Sequence, residues 1–276
     1  MLSHLTHVWG KISPLMRAPS ACLICGSWQS ARLCVHCRHE YGAAPMRCRR
    51  CGLRLTDEAF GPACARCEDY PPEMDRVIVG VDFEPPWSEQ IGALKFQQQP
   101  AAAVSLARIL AKAVRAQGMP APDLIVPVPL SRARWQERGF NQAWVLAQLT
   151  SQELGWSQRL HPHTLERRID TGRIMRMHAD ERAQRIRQAF RVRPDALYRV
   201  EGQHVVLVDD VMTTGATANE ATRTLLAAGA ASVTGWFAAR TPERRTTAPQ
   251  RAETRPHRAT PVARNAQQWG NHHTSR

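Results

Sequence analysis

All eight cysteines of this 276-residue chain lie in its first quarter, and each belongs to a C-x-x-C pair: Cys22/Cys25, Cys34/Cys37, Cys48/Cys51 and Cys64/Cys67. Two residues between cysteines let a tight turn aim both sulfurs at one tetrahedral ion, and two such knuckles complete a four-thiolate zinc site. Eight thiols arranged in this way predict two structural zinc ions. The competing readings are a disulfide framework, which lacks a secretory signal to support it, and four redox motifs side by side, which would be unusual. The spacings favour sequential sites, with the first two pairs on one metal and the last two on the other. A cross-braced arrangement, first pair with third and second with fourth, stays open. Gly26, Gly42, Gly52 and Gly61 suit hairpins and knuckles instead of helices across residues 20–70. Pro71-Pro72 then stiffens the exit from this module.

The remaining three quarters must supply any chemistry, and at 276 residues the chain has room for one small module and one full-sized domain. Hydrophobic residues make up 43% of it, enough for a packed core, and no run of about 18 apolar residues exists to span a membrane. Residues 1–18 mix His, Ser, Lys and Pro among apolar residues and lack the continuous apolar stretch of a signal peptide. Reduced thiols and no export signal predict a cytoplasmic protein. Net charge is +13, of which residues 240–276 and residues 167–193 each carry +6. That excess suits polyanions, whether nucleic acid or phosphorylated small molecules, or is simply a solvated basic surface.

Alternating strand and helix signals fill residues 74–240. Val77–Val81, Asp123–Val128, Val205–Val208 and Ser232–Ala238 predict strands. Residues 101–117, closed by Gly118, together with Asn141–Leu154 and Thr217–Ala228, closed by Gly229, predict helices. Strands separated by helices imply a three-layer α/β fold with a mostly parallel sheet. From residue 241 the chain holds one branched aliphatic residue, Val262, and one aromatic, Trp269, too little to bury a core; residues 241–276 are predicted to be a disordered basic tail. Residues 1–19 form an N-terminal segment before the cysteine module.

The segment Val205-Val206-Leu207-Val208-Asp209-Asp210-Val211-Met212-Thr213-Thr214-Gly215-Ala216-Thr217 carries the chemistry. Four apolar residues bring a strand to the sheet edge, and two acids follow at its carboxyl end, where open α/β sheets bind ligands. A run of hydroxyl and glycine residues then opens a helix, offering backbone N–H groups to a phosphate. Acids suit ribose hydroxyls or a magnesium ion, so a sugar phosphate could span both features. No P-loop lysine signature is present, which argues against a nucleoside triphosphatase.

This segment resembles the phosphoribosyl-pyrophosphate motif of the type I phosphoribosyltransferases. Val126-Pro127-Val128-Pro129-Leu130, Arg138-Gly139-Phe140-Asn141-Gln142-Ala143 and Ile91–Phe96 (IGALKF) resemble the signatures of the ComF family. The resemblance covers residues 20–240 and implies a type I phosphoribosyltransferase-like parallel sheet flanked by helices, preceded by a double zinc ribbon and associated with DNA uptake in natural competence. It also implies a sugar-phosphate site at Asp209, Asp210, Thr213, Thr214, Gly215, Ala216 and Thr217, with magnesium accompanying phosphoribosyl pyrophosphate. Lys95 and Arg138, close in sequence to strand ends, suit pyrophosphate oxygens and join the two acids as candidates for catalysis. Ser131, Arg132 and Arg134 stand where type I enzymes place a pyrophosphate loop. Asn141 suits a helix cap. The chain departs from the family pattern at Ile174 and Arg185, where Gln and Asn are usual; Thr171, Arg182 and Ala189-Phe190 are retained. Losing two amides puts a base-specific transfer in doubt and leaves the sugar-phosphate site untouched.

Two functions follow as expectations. One is a DNA-processing accessory factor whose ribbons, with Arg47, Arg49, Arg50, Arg54, nearby Trp residues and the basic 167–193 stretch, hold single-stranded DNA or a DNA-uptake or recombination protein. The other is an active phosphoribosyltransferase with an unknown acceptor; a sensor of phosphoribosyl pyrophosphate that has lost turnover is a weaker third.

Overall fold

The computed structural model describes residues 20–29, 33–42, 45–55, 62–96, 100–168 and 189–243. Thr171, Ile174, Arg182 and Arg185, most of the basic 167–193 stretch, residues 1–19 and the tail from residue 244 lie outside the described residues.

The sheet has four parallel strands: β3 (Arg76–Asp82), β4 (Leu124–Pro127), β7 (His204–Met212) and β8 (Ser232–Arg240), in the order β3-β8-β7-β4. Residues along a strand alternate between faces. On β7, Val205 and Leu207 join one core cluster with Phe237 and Leu225, while Val206 and Val208 join the other with Trp236 and Leu110. Both faces are therefore apolar, as a parallel sheet between two helical layers requires. One layer comprises α3 (Trp87–Phe96), α4 (Pro100–Ala116) and α6 (Gln142–Leu154). The other holds α8 (Ala216–Ala227) and the antiparallel pair β5 (Leu165–Arg167) and β6 (Phe190–Val192), with the short α7 (Leu197–Val200) beside it.

The four predicted strands and three predicted helices form, with shifted ends. The largest shift is at β7, which continues beyond Val208 to Met212, so the two acids sit inside the strand. Its partner explains this: β8 pairs with Asp209, Val211 and Met212 through Phe237, Ala239 and Arg240. The adjacent acids consequently face opposite sides of the pleat. A helix the sequence did not suggest, α5 (Arg132–Arg138), follows β4, capped by the hydroxyl of buried Ser131, which accepts the Arg134 N–H at 3.3 Å.

The cysteine region is not helix-free as its glycines suggest. Strands β1 (Ser20–Ala21) and β2 (Trp28–Gln29) pair, but α1 (Val35–Tyr41) and α2 (Ala65–Asp69) also form. Each helix starts directly after the first cysteine of a second knuckle, where the C-x-x-C turn already curves the chain; Cys34 Sγ caps α1 by accepting the Cys37 N–H at 3.2 Å.

Both cysteine units rest on the α/β domain. From the first, the carbonyls of Leu23 and Tyr41 accept bonds from Gln90 Nε2 (3.0 Å) and Trp87 Nε1 (2.7 Å) on α3. The second lies against the outer edge of β3: Val77 N–H donates to the Arg49 carbonyl at 2.7 Å, and Arg47 pairs with Asp82 at 2.6 Å. Gly52 comes so close that a Cβ there would stand 2.4 Å from Val79 Cγ2. Because Arg47 is occupied by Asp82 and by the Gly52 carbonyl, it drops out of the arginine cluster expected to face DNA; Arg49, Arg50 and Arg54 are exposed.

Candidate functional site

The eight sulfurs gather into two groups, Cys22/Cys25/Cys34/Cys37 and Cys48/Cys51/Cys64/Cys67, within each of which all sulfurs lie within 4.8 Å of one another. The arrangement is sequential, and all eight cysteines are free of disulfides. Four thiolates at about 2.3 Å from a tetrahedral zinc ion stand about 3.8 Å apart; Cys25–Cys34 and Cys51–Cys64 measure 3.8 and 3.7 Å. Backbone N–H groups of Cys34 and Cys64 point at Cys22 Sγ (3.4 Å) and Cys48 Sγ (3.3 Å), donating into the region where thiolate charge would concentrate. Burial pushes the Cys51 thiol up to about 12 and raises Cys37 and Cys67 as well, so these sulfurs need a cation to stay ionised. The donor set fits zinc.

A second site opens at the carboxyl ends of β4 and β7, a cavity of ≈ 320 Å³. Asp209 and Asp210 form its acidic side, and Thr213, Gly215, Ala216 and Thr217 its loop and helix start. Gly215 adopts φ 83° and offers no capping side chain to α8, leaving first-turn amides to a ligand or to water. Within the loop, Thr214 Oγ1 accepts the Ala216 N–H at 3.4 Å. Thr214 does not border this cavity; it lies on the loop's other side, against a ≈ 270 Å³ cavity shared with Cys51, Arg66, Tyr70 and Asn219.

Four cations reach the first cavity. Lys95 sits in the last turn of α3, not at a strand end, and its Nζ lies 3.1 Å from Asp210 Oδ2. Arg138 ends α5; its guanidinium stacks over Phe96, 5.3 Å from the ring centroid, and donates to Gln142 Oε1 at 3.1 Å. Arg134 and Arg167 complete the set, while Ser131 and Arg132 do not line the cavity. Arg167 arrives from β5, stacked on Phe190 at 5.3 Å. Asn141 caps α6 as expected, Oδ1 accepting the Ala143 N–H at 3.0 Å, and its Nδ2 also donates to the Val128 carbonyl at 3.0 Å, tying β4 to the helix.

Two features had no counterpart in the sequence reading. Gln142 is almost wholly buried, and its Nε2, like Arg138 Nε, has no hydrogen-bond partner among the described residues. Only its place in the R-G-F-N-Q motif marked it. Asp209 is the other: burial, then the neighbouring Asp210 charge, pushes its carboxyl up to about 7, against the pull of the Asp210 N–H that donates to Oδ1 at 2.8 Å. Two adjacent acids thus have different partners, one paired with a lysine and one ready to change charge near neutral pH.

A parallel sheet with acids and a threonine–glycine loop at the carboxyl end of one strand defines the phosphoribosyltransferase class, and the phosphoribosyl transferase domain family matches residues 100–248. The chain is 34% identical to the DNA utilization protein YhgH of Salmonella typhi over 240 residues, covering 82% of this chain and all of that one. It is 32% identical to Competence protein F of Haemophilus influenzae over 75% of this chain and 90% of that one. Competence protein ComFC of Bacillus subtilis matches at 32% over 41% of this chain and 42% of that one. The chain belongs to the ComF family. Among the described residues no helix is long and apolar enough to cross a membrane.

Proposed function

We propose that the ≈ 320 Å³ cavity binds phosphoribosyl pyrophosphate with magnesium, and that the protein serves DNA utilisation or competence by acting on or with single-stranded DNA. One observation carries the ligand reading: two acids, a lysine paired with one of them, and an uncapped helix start share a single cavity. The 5′-phosphate takes the amides of residues 213–217, and Asp209 and Asp210 accept hydrogen bonds from the ribose hydroxyls. Lys95, Arg134 and Arg138 suit the pyrophosphate, which Lys95 reaches by leaving Asp210. A magnesium ion on the pyrophosphate would offset its charge, with the carboxylate oxygens of the site as hard donors nearby. The eight cysteines hold two structural zinc ions.

The DNA part rests on the relatives' names and on the cysteine units' surface. Arg49, Arg50, Arg54 and Arg66 are exposed there, as are Trp28 and Tyr70 at 78% and 80%, a mixture of cations and stacking platforms. Calorimetry with Mg-phosphoribosyl pyrophosphate and with a single-stranded oligonucleotide tests both parts. Saturable binding of the first is expected, together with oligonucleotide affinity that falls steeply with salt and drops when Arg49, Arg50 and Arg54 become alanine. Absent sugar-phosphate binding would overturn the ligand reading, and salt-independent or absent oligonucleotide binding the DNA reading.

An active phosphoribosyltransferase is the second reading, favoured by Gln142 Nε2 and Arg138 Nε at the cavity wall, donors without a partner among the described residues. There an acceptor nitrogen or oxygen would bond to the anomeric carbon as the bond to pyrophosphate breaks. Pyrophosphate release with any of a panel of bases would support it; tight binding without release would reject it.

The Asp209 carboxyl gives the binding a pH dependence. Ribose hydroxyls need the carboxylate, so affinity rises from pH 6 to a plateau near pH 8, and at pH 6 is about tenfold below the plateau. The titration should lose this step in Asp209→Asn; a step that persists there belongs to another group.

A further inference from the structure

Arg240, the last residue of β8, is 5% exposed, and its guanidinium donates to four backbone carbonyls. Nε donates to Cys51 O at 2.9 Å; Nη1 donates to Met212 O at 3.0 Å, to Thr241 O at 2.8 Å and to Thr213 O. Cys51 belongs to the second cysteine group, Met212 ends β7, and Thr213 begins the loop that lines the ligand cavity. One planar ion thus fixes a peptide of the metal knuckle and two peptides of the loop. A guanidinium presents its donors in a rigid fork, so a carbonyl cannot move without weakening the others' alignment. The remaining contacts follow the same line: Gly52, next to Cys51, is seated on β3, and Thr214 borders the cavity that Cys51, Cys67 and Arg240 share.

Among the described residues the first cysteine group has no such hydrogen-bonded route. It reaches the α/β domain through Trp87 and Gln90 on α3, more than a helical turn before Lys95. Among the described residues no hydrogen bond joins it to residues 212–217.

We infer that the second metal group, and not the first, governs the sugar-phosphate loop, with Arg240 as the positioning residue that links them. With the knuckle closed, the Cys51 carbonyl holds Arg240, and Arg240 holds the loop amides in register for a phosphate. When the second group is emptied, Cys51 is released, the fork loses an acceptor, and the loop loosens. Coupling of two binding equilibria is reciprocal, so a ligand on the loop retards metal loss from the second group and leaves the first unaffected. This inference rests on the reading that residues 213–217 take the phosphate.

The test uses the full-length zinc-loaded protein. Zinc release to an excess of a chromophoric chelator is followed with and without saturating Mg-phosphoribosyl pyrophosphate, and Cys34→Ser identifies the phase belonging to the first group. The expected result is that ligand slows the second-group phase at least threefold and leaves the first unchanged. In Arg240→Lys, which keeps the charge but not the fork, the ligand effect disappears. Equal slowing of both phases, or of neither while the ligand binds, overturns the inference. Hydrogen exchange on ligand-free protein supplies an arm independent of that ligand and of whether Arg240→Lys folds. Stripping the second group should speed exchange of the 213–218 amides, and emptying the first through Cys34→Ser should not. No change after stripping the second group overturns the coupling, whereas absent phosphoribosyl pyrophosphate binding alone overturns only the ligand reading.

Discussion

Asp209→Asn is expected to weaken phosphoribosyl pyrophosphate binding about 100-fold at pH 8 and, in the same protein, to raise the melting temperature at that pH. The first effect follows from losing the hydrogen bond between a ribose hydroxyl and the charged carboxylate, worth about 1.5–3 kcal/mol, where 1.4 kcal/mol is tenfold. The second follows from the carboxyl's position. Its folded-state value, about 7, lies above its unfolded one, so the neutral acid favours the fold below about pH 4 and that contribution is lost as pH rises through 7. Asparagine keeps the shape, and its Oδ1 can still accept the Asp210 N–H, but it carries no charge to bury. At pH 4, where the parent keeps its proton both folded and unfolded, the two proteins should melt close together, and the gap should widen as pH rises towards 7. Calorimetric binding at pH 8 and thermal melts at pH 4 and pH 8 check both halves. A variant that melts lower at pH 8 would show that the charged form of Asp209 holds the fold together, in conflict with the environment described. Losing binding while gaining stability is what a site kept for a ligand, at the fold's expense, should do.

Gly52→Ala should have a large structural effect, because it combines a left-handed backbone with a close approach to β3. Gly52 holds φ 72°, and the new Cβ would meet Val79 Cγ2 at 2.4 Å and Val77 Cγ1 at 2.9 Å. A left-handed alanine costs about 1–2 kcal/mol and overpacking a further 1–3 kcal/mol, a loss of about 2–5 kcal/mol concentrated where the second cysteine unit meets β3. Gly26→Ala separates the contributions: its φ is 74°, but nothing lies within 4 Å, so only the smaller backbone cost applies. Hydrogen exchange at the Val77 amide, which donates to the Arg49 carbonyl, reports the junction directly. Protection there should fall in Gly52→Ala and hold in Gly26→Ala. Equal protection in both variants would mean that the unit does not depend on this close approach.

Both results bear on what a sequence can reveal. Asp209, Asp210 and the Thr213–Thr217 loop were legible because one continuous stretch of chain carries strand, acids and helix start together. The four C-x-x-C pairs were legible because the spacing itself is the chemistry. What escaped was assembled from afar. Arg240 meets Cys51 across 189 positions, and Arg167 enters the cavity from a strand whose partner lies beyond residue 188. The end of β7 escaped because hydrogen bonding to β8 extends the strand through its acids, which intrinsic propensity disfavours. Among neighbouring arginines, a single helical turn after Ser131 decides that Arg134 and not Arg132 lines the cavity. Arg47 looked like its exposed neighbours until Asp82, 35 positions on, claimed it.

The seating of the second cysteine unit on β3 matters for how the chain is made. β3 is the first strand of the sheet to leave the ribosome, yet β8, its only neighbour in the sheet among the described residues, follows about 150 residues later. At the usual pace of synthesis that interval is roughly 8–30 s, during which an apolar strand with two open edges would invite pairing with other nascent chains. The cysteine unit has already emerged by then, and it supplies the Arg49 carbonyl, the Gly52 contact and the Arg47–Asp82 ion pair to one of those edges. Closure of this cysteine unit therefore decides whether the growing sheet begins with a guarded margin or a bare one.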